Sequence, residues 1–165
     1  MSLNTAAINI PLPGSGIAAA LDGGELFTEL AALLSGETIT FHADGVPRVH
    51  SLTGGERGPL QAQPGVQGIR RQGTLRTADG RDAARVTAVY LPHRIKDETA
   101  LRTLYMTNQP LGRVLAPLGA TRLSLGALVI PAGDIAVRSR GLLSIGEVPV
   151  ALAEEQVLRS FAMRP

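Results

Sequence analysis

The stretch TRLSLGALVIPAGDIAVRSRGLLSIGEVPVALAEEQVL, residues 121–158, decides the fold. Its aliphatic residues predict three consecutive long strands, over 121–130, 135–145 and 148–158. Gly146-Glu147 marks the turn between the last two of these strands. Because consecutive strands joined by short turns pair in antiparallel fashion, this part of the chain predicts an antiparallel sheet.

Two hairpins are predicted upstream of these strands. Ala78-Asp79-Gly80 is a turn signal between strands at 67–77 and 84–91. Asp44-Gly45 is a similar signal between shorter strands at 38–42 and 46–52, and a long polar loop is expected over 53–67.

The rest of the chain predicts helices. Asp22 is a suitable N-cap for a helix that ends at Ser35-Gly36, Asp97 caps a second short helix, and Pro110 suits the first position of a third. The first helix is expected to place four leucines on one face, at Leu26, Leu30, Leu33 and Leu34. Residues 1–20 are rich in Gly, Ala and Pro and are expected to be partly irregular. We therefore expect residues 1–165 to form a single α+β domain with a mainly antiparallel sheet and flanking helices.

Composition argues against several classes of function. The 165 residues contain no Cys and no Trp, and only 3% are aromatic, so neither a Cys-based metal site nor a base-stacking surface is expected. The net charge is +2 and the arginines are scattered, so we expect no nucleic-acid partner. No signal peptide or membrane span is predicted, and we expect a cytoplasmic protein with no membrane partner.

Arg71 is the first candidate site residue. Alternation along its strand places Arg71 on the same face as Leu75, whereas Arg70, Gln72 and Arg76 lie on the other, polar face. A buried guanidinium needs a compensating partner. That partner is either an anionic ligand or an internal ion pair, and the side chain could also extend back to solvent.

A carboxylate and a helix start provide the other candidates. Glu154 and Glu155 follow one another on the last strand, whose two faces are both mostly apolar, so one of them is expected to point inward unless the strand ends there. Pro110-Leu111-Gly112 has the composition of a helix N-terminus, whose first amides attract anions and where Gly112 would allow a close approach. An ordinary helix start is the alternative. His42, His50 and His93 lack the spacing of metal ligands, so no metal is expected.

Several segments, taken together and in order, resemble the chorismate pyruvate-lyase family. They cover roughly residues 68–158 and comprise Ile69-Arg70-Arg71-Gln72, the Ala78-Asp79-Gly80 turn, Tyr90-Leu91-Pro92, Gln109-Pro110-Leu111-Gly112-Arg113-Val114-Leu115, Arg138-Ser139-Arg140 and the stretch from Gly146 to Glu154. The resemblance implies an antiparallel sheet with helices around an internal pocket for an aromatic acid. It also implies that Arg71 binds the ligand carboxylate, that the Leu111 amide assists it, and that Glu154 rather than Glu155 lies near the ring hydroxyl.

The family's reaction is the elimination of pyruvate from chorismate to give 4-hydroxybenzoate, with neither metal nor organic cofactor. The resemblance therefore implies a carbon-oxygen lyase with Arg71 and Glu154 as catalytic residues and a small carboxylate-bearing substrate. Two alternatives remain open besides a plain interaction protein. One is a relative with other chemistry, such as a cyclase, and the other is a non-catalytic ligand-sensing domain, because transcriptional regulators use a similar fold as an effector module. The oligomeric state is left open by the sequence.

Overall fold

A single antiparallel sheet forms the centre of the computed structural model, which describes residues 14–24, 27–106 and 108–163. Its strands are β1 (Thr40–Ala43), β2 (Arg48–Ser51), β3 (Gln67–Arg76), β4 (Asp82–Tyr90), β5 (Ala120–Val129), β6 (Ile135–Ile145) and β7 (Val148–Leu158). The spatial order is β1-β3-β4-β7-β6-β5, and β2 pairs with the other half of β3. The predicted α+β class and mainly antiparallel sheet are confirmed.

Helices cover both faces of this sheet. They are α1 (Ser15–Asp22), α2 (Phe27–Ser35), α3 (Gly54–Leu60), α4 (Glu98–Met106), α5 (Leu111–Leu115) and α6 (Arg159–Ala162). Two single 3-10 turns, at Pro92–Arg94 and Ala116–Leu118, follow β4 and α5. Asp97 caps α4 as predicted, since its Oδ1 accepts a hydrogen bond of 2.8 Å from the Ala100 amide.

The three C-terminal strands and the β3–β4 hairpin match their predicted positions to within two residues at each end. The first predicted hairpin is wrong, because β1 and β2 both pair with β3 instead. Phe41 lies opposite Leu75, and Val49 lies opposite Ile69. The ten residues of β3 are long enough to accept both four-residue strands end to end.

Some helix predictions also need correction. The expected loop over 53–67 contains α3, which begins with a capping box between Thr53 and Glu56. Asp22 is the last residue of α1 instead of the cap of the next helix. Of the four predicted face residues, Leu30 is buried and Leu34 is exposed, whereas Leu26 and the side chain of Leu33 lie outside the described residues, as do residues 1–13.

The apolar core is divided into three clusters. The first cluster packs α1 and α2 against one end of the sheet, through residues such as Leu21, Phe27 and Phe41. The second cluster packs α4 and α5 against the other end of the same face, through residues such as Leu104 and Leu115. A third, smaller cluster lies beneath α3 on the opposite face and comprises Leu60, Leu91, Leu142 and Leu152. Three buried charged residues, Arg71, Arg122 and Glu155, line the space between the first two clusters.

Candidate ligand pocket

A small cavity, here called the arginine pocket, lies between the first and second core clusters. The first cluster contributes Phe27, Phe41, Leu75 and Val86, and the second contributes Ala88, Leu111, Leu143 and Ala153. Three ionisable side chains also line it, namely Arg71, Arg122 and Glu155. It leaves about 40 Å³ in which the centre of a water molecule can lie. That volume suits a few waters or one small polar group.

The register of the strands explains why a cavity lies over the sheet at this point. Arg71 on β3 lies opposite Ala88, Ala88 lies opposite Ala153, and Ala153 lies opposite Gly141. This row crosses four strands and has only one large side chain. The guanidinium of Arg71 can therefore lie over a floor of small residues instead of being forced out of the core.

Arg71 is a buried cation with few partners. Its residue is 4% exposed, its Nη2 donates a hydrogen bond of 2.8 Å to the Gln109 carbonyl, and its Cζ lies 4.4 Å from the centre of the Phe41 ring. Its buried Nε has no hydrogen-bond acceptor, and no carboxylate pairs with the side chain within the described part of the chain. Burial lowers the pKa of Arg71 to about 10, so the side chain is still charged near neutral pH.

Arg122 is the second buried arginine, and it is not among the predicted site residues. It alternates with Leu123 and Leu125, which indicates a solvent-facing side chain, yet Arg122 is buried and Leu123 is exposed. The reason is that α1 covers this side of β5, and Arg122 Nη1 donates a hydrogen bond of 2.6 Å to the carbonyl of Leu21 in α1. Gly141 makes room for the guanidinium, because a Cβ there would lie 2.3 Å from Arg122 Nε.

Glu155, not Glu154, faces the arginine pocket. Glu155 is 6% exposed, and its Oε2 accepts a hydrogen bond of 2.5 Å from Ser139 Oγ and lies 3.4 Å from Arg122 Nη2. Glu154 is on the other face of β7, where its side chain is 58% exposed and pairs with Arg140 at 3.3 Å. The expectation that Glu154 points into the pocket is therefore wrong by one residue. Burial raises the pKa of Glu155, and the neighbouring Arg122 and Ser139 oppose that rise only in part.

Leu111 and Gly112 both line the arginine pocket, opposite the sheet. The helix that they begin is only five residues long, and Pro110 is its N-cap residue. A helix this short contributes little dipole of its own, so the expected anion attraction by its N-terminus has weak physical support. The predicted ligand contacts of Leu111 and Gly112 remain predictions.

The described residues contain no group of three or more His, Cys, Asp or Glu side chains that could hold a metal ion. The Nε2 atom of His50 lies 2.8 Å from Oε1 of Glu56, beside the capping box of α3. Within the same described ranges, every helix is too short or too polar to serve as a membrane-spanning segment.

Known structures resemble this fold. The effector domain of PhnF from Mycobacterium smegmatis matches with a TM-score of 0.60 and 12% identity, over 82% of this chain and 88% of that one. A GntR-family transcriptional regulator from Enterococcus faecalis V583 matches with a TM-score of 0.52 and 14% identity, over 73% and 94%. The C-terminal domain of the histidine utilization repressor from Pseudomonas syringae pv. tomato matches with a TM-score of 0.51 and 14% identity, over 77% and 95%.

These likenesses establish the fold alone, given their low identity. The chain covers 66% of whole PhnF, and 57% and 55% of two further regulators. No protein-family model matches the chain, and neither does any curated protein.

The comparisons overturn two sequence predictions. The expectation of a carbon-oxygen lyase that converts chorismate to 4-hydroxybenzoate is contradicted, because the matching structures are those of transcriptional regulators and an effector domain. The catalytic roles of Arg71 and Glu154 fall with that expectation. The expectation of no nucleic-acid partner is also contradicted. The contradiction comes from the fold of the domain, because proteins with this fold include regulators of transcription.

Proposed function

We propose that this chain is a ligand-sensing domain that binds a small anionic molecule at Arg71. The observation that carries the proposal is the state of that side chain. A buried guanidinium loses its hydration and is tolerated when an anion or several hydrogen-bond acceptors replace the water. Among the described residues Arg71 has one carbonyl and one aromatic face, so it lacks a negative partner.

The charges around the arginine pocket also favour an anionic ligand. Two buried guanidinium groups face one buried carboxyl group, which leaves an excess of at least one positive charge in a mostly apolar space. A bound carboxylate or phosphate would balance that charge. Arginine suits either group, because its planar guanidinium can donate two parallel hydrogen bonds. Each such charge-assisted bond is worth about 1.5–3 kcal/mol.

The environment of Glu155 favours binding over catalysis. Its carboxyl group is held by Ser139 and Arg122 inside the sheet, which suits a structural counter-charge better than a group that exchanges protons with a substrate. The likeness to an effector domain and to transcriptional regulators supports the same conclusion. In such a regulator, the sensing domain would influence a nucleic-acid contact made elsewhere, and Leu111 and Gly112 would form the wall that contacts the ligand.

The test is a binding screen by calorimetry and thermal shift, with panels of small carboxylates and phosphate esters. Arg71→Met should weaken the best ligand at least about tenfold, because one charge-assisted interaction of 1.4 kcal/mol or more is lost. The variant should fold, since replacing an uncompensated buried charge by an apolar side chain is often neutral or stabilising.

Arg76→Met is the matched control. Arg76 lies on the same strand, but its side chain is partly exposed and pairs with Asp82 at 2.7 Å. We expect Arg76→Met to bind the best ligand with the affinity of the wild type. Equal losses in both variants would contradict the assignment of Arg71 as the anion-binding residue.

A further inference from the structure

A second concavity, here called the outer cleft, adjoins the arginine pocket. Its lining includes Phe41, Val46, Arg71, Leu104, Tyr105 and Met106. Phe41 and Arg71 line both spaces. The stacked pair, with the Arg71 Cζ 4.4 Å from the Phe41 ring centre, is therefore the partition between them.

The two spaces differ greatly in size. The outer cleft leaves about 300 Å³ for the centres of water molecules, against about 40 Å³ in the arginine pocket. Sites for organic ligands usually enclose about 300–1,000 Å³. The arginine pocket can therefore accept only a small group of a ligand, whereas the outer cleft has room for its body.

The walls of the outer cleft are suited to an apolar body. Val46, Tyr105 and Met106 are all substantially exposed there, and clustered exposed apolar side chains commonly mark a binding site. Methionine in particular adapts its shape to different ligands. Among the described residues of this lining, Arg71 alone is charged, and none is acidic and able to repel an anion.

We infer that the ligand is an amphipathic organic acid that lies across the outer cleft. Its anionic group binds Arg71 at the partition, and its alkyl or aryl body packs against Val46, Tyr105 and Met106. This inference rests on the proposed sensing function and narrows the ligand class: small polar acids and sugar phosphates would leave these apolar side chains uncovered.

The experiment measures the affinity of full-length protein for butanoate and octanoate by calorimetry, with octan-1-ol as the uncharged probe. Octanoate should bind at least tenfold more tightly than butanoate, because four more methylene groups are buried. It should also bind at least tenfold more tightly than octan-1-ol. Val46→Glu should weaken octanoate binding at least tenfold, since it places a like charge in the outer cleft.

Val49→Glu provides the matched control. Val49 is 70% exposed, as Val46 is 69% exposed, but it lies outside the outer cleft. The affinity of Val49→Glu for octanoate should stay within twofold of that of the wild type. Equal effects of the two glutamates, no gain with chain length, or no binding of octanoate would each overturn this inference. The sensing proposal would survive those results if another acid or phosphate ester bound in an Arg71-dependent way, and it would fail if none did.

Discussion

Neighbouring glutamates on β7 show how one residue of register decides a chemical environment. Glu155 is enclosed by Ser139 and Arg122, whereas Glu154 is exposed beside Arg140. Alternation along β7 predicts that the two point in opposite directions, but both faces of the strand are apolar nearby. What distinguishes them is Arg122 of β5, which the Leu21 carbonyl of α1 holds on the same side of the sheet as Glu155, and these contacts join segments that are distant in sequence.

Glu155 should make stability depend on pH in a particular direction. Its pKa is higher in the folded protein than its ordinary value near 4.5, so the folded state holds this proton more tightly than the unfolded state. The free energy of unfolding should therefore rise as pH falls from above the raised pKa toward 4.5. Glu155→Gln lacks this contribution. As pH falls over this range, the free energy of unfolding of the wild type should therefore rise relative to that of the variant.

Urea denaturation at a series of pH values measures this difference. Glu154→Gln removes the same kind of group from the exposed face of the strand and is the control for a general charge effect. If the pH profile of Glu155→Gln were parallel to that of the wild type, the burial of a proton-binding carboxyl in the folded core would be contradicted.

Among the elements, the long strands could be predicted from the sequence and the short ones could not. β5, β6 and β7 each contain ten or eleven residues rich in aliphatic side chains and bounded by turns, so local pattern is sufficient. β1 and β2 have four residues each, and their pairing depends on β3, more than fifteen residues away in sequence. The sequence does not predict α3, because Gly54, Gly55, Gly58 and Pro59 are poor helix formers.

The capping box is therefore the feature that we expect to hold α3 together. Thr53 Oγ1 accepts a hydrogen bond from the Glu56 amide, and Glu56 Oε1 accepts one from the Thr53 amide. Thr53→Ala should destabilise α3 by about 1 kcal/mol, and hydrogen exchange over residues 54–60 should become faster by about fivefold. Thr53→Ser keeps the capping oxygen and should exchange like the wild type. Unchanged exchange in Thr53→Ala would show that other contacts, such as the packing of Leu60 and the hydrogen bond from Arg140 to the Gly55 carbonyl, fix the helix.

At the scale of the whole molecule, the candidate site lies at the boundary between the first and second core clusters, which is here called the seam. Arg71 could be predicted as an inward-facing residue, because the alternation of β3 is unambiguous. Arg122 and the outer cleft could not, because each is created by segments that meet only in the folded chain, such as α1 with β5, or the end of α4 with the residues between β1 and β2. Sequence pattern reports which face of an element is apolar, but not which element covers it.

A ligand in this seam should stabilise both halves of the core together. The outer cleft is lined by Phe41 from the first core cluster and by Leu104 from the second, so one bound molecule would contact both. At a ligand concentration about 100 times its dissociation constant, binding stabilises the folded state by about 2.7 kcal/mol, which corresponds to exchange slowed by up to about 100-fold. Hydrogen exchange with saturating ligand should therefore slow in both β1 (40–43) and α4 (98–106), and Arg71→Met should lose both effects. Slower exchange in only one of the two segments would place the ligand within a single cluster and contradict its position across the seam.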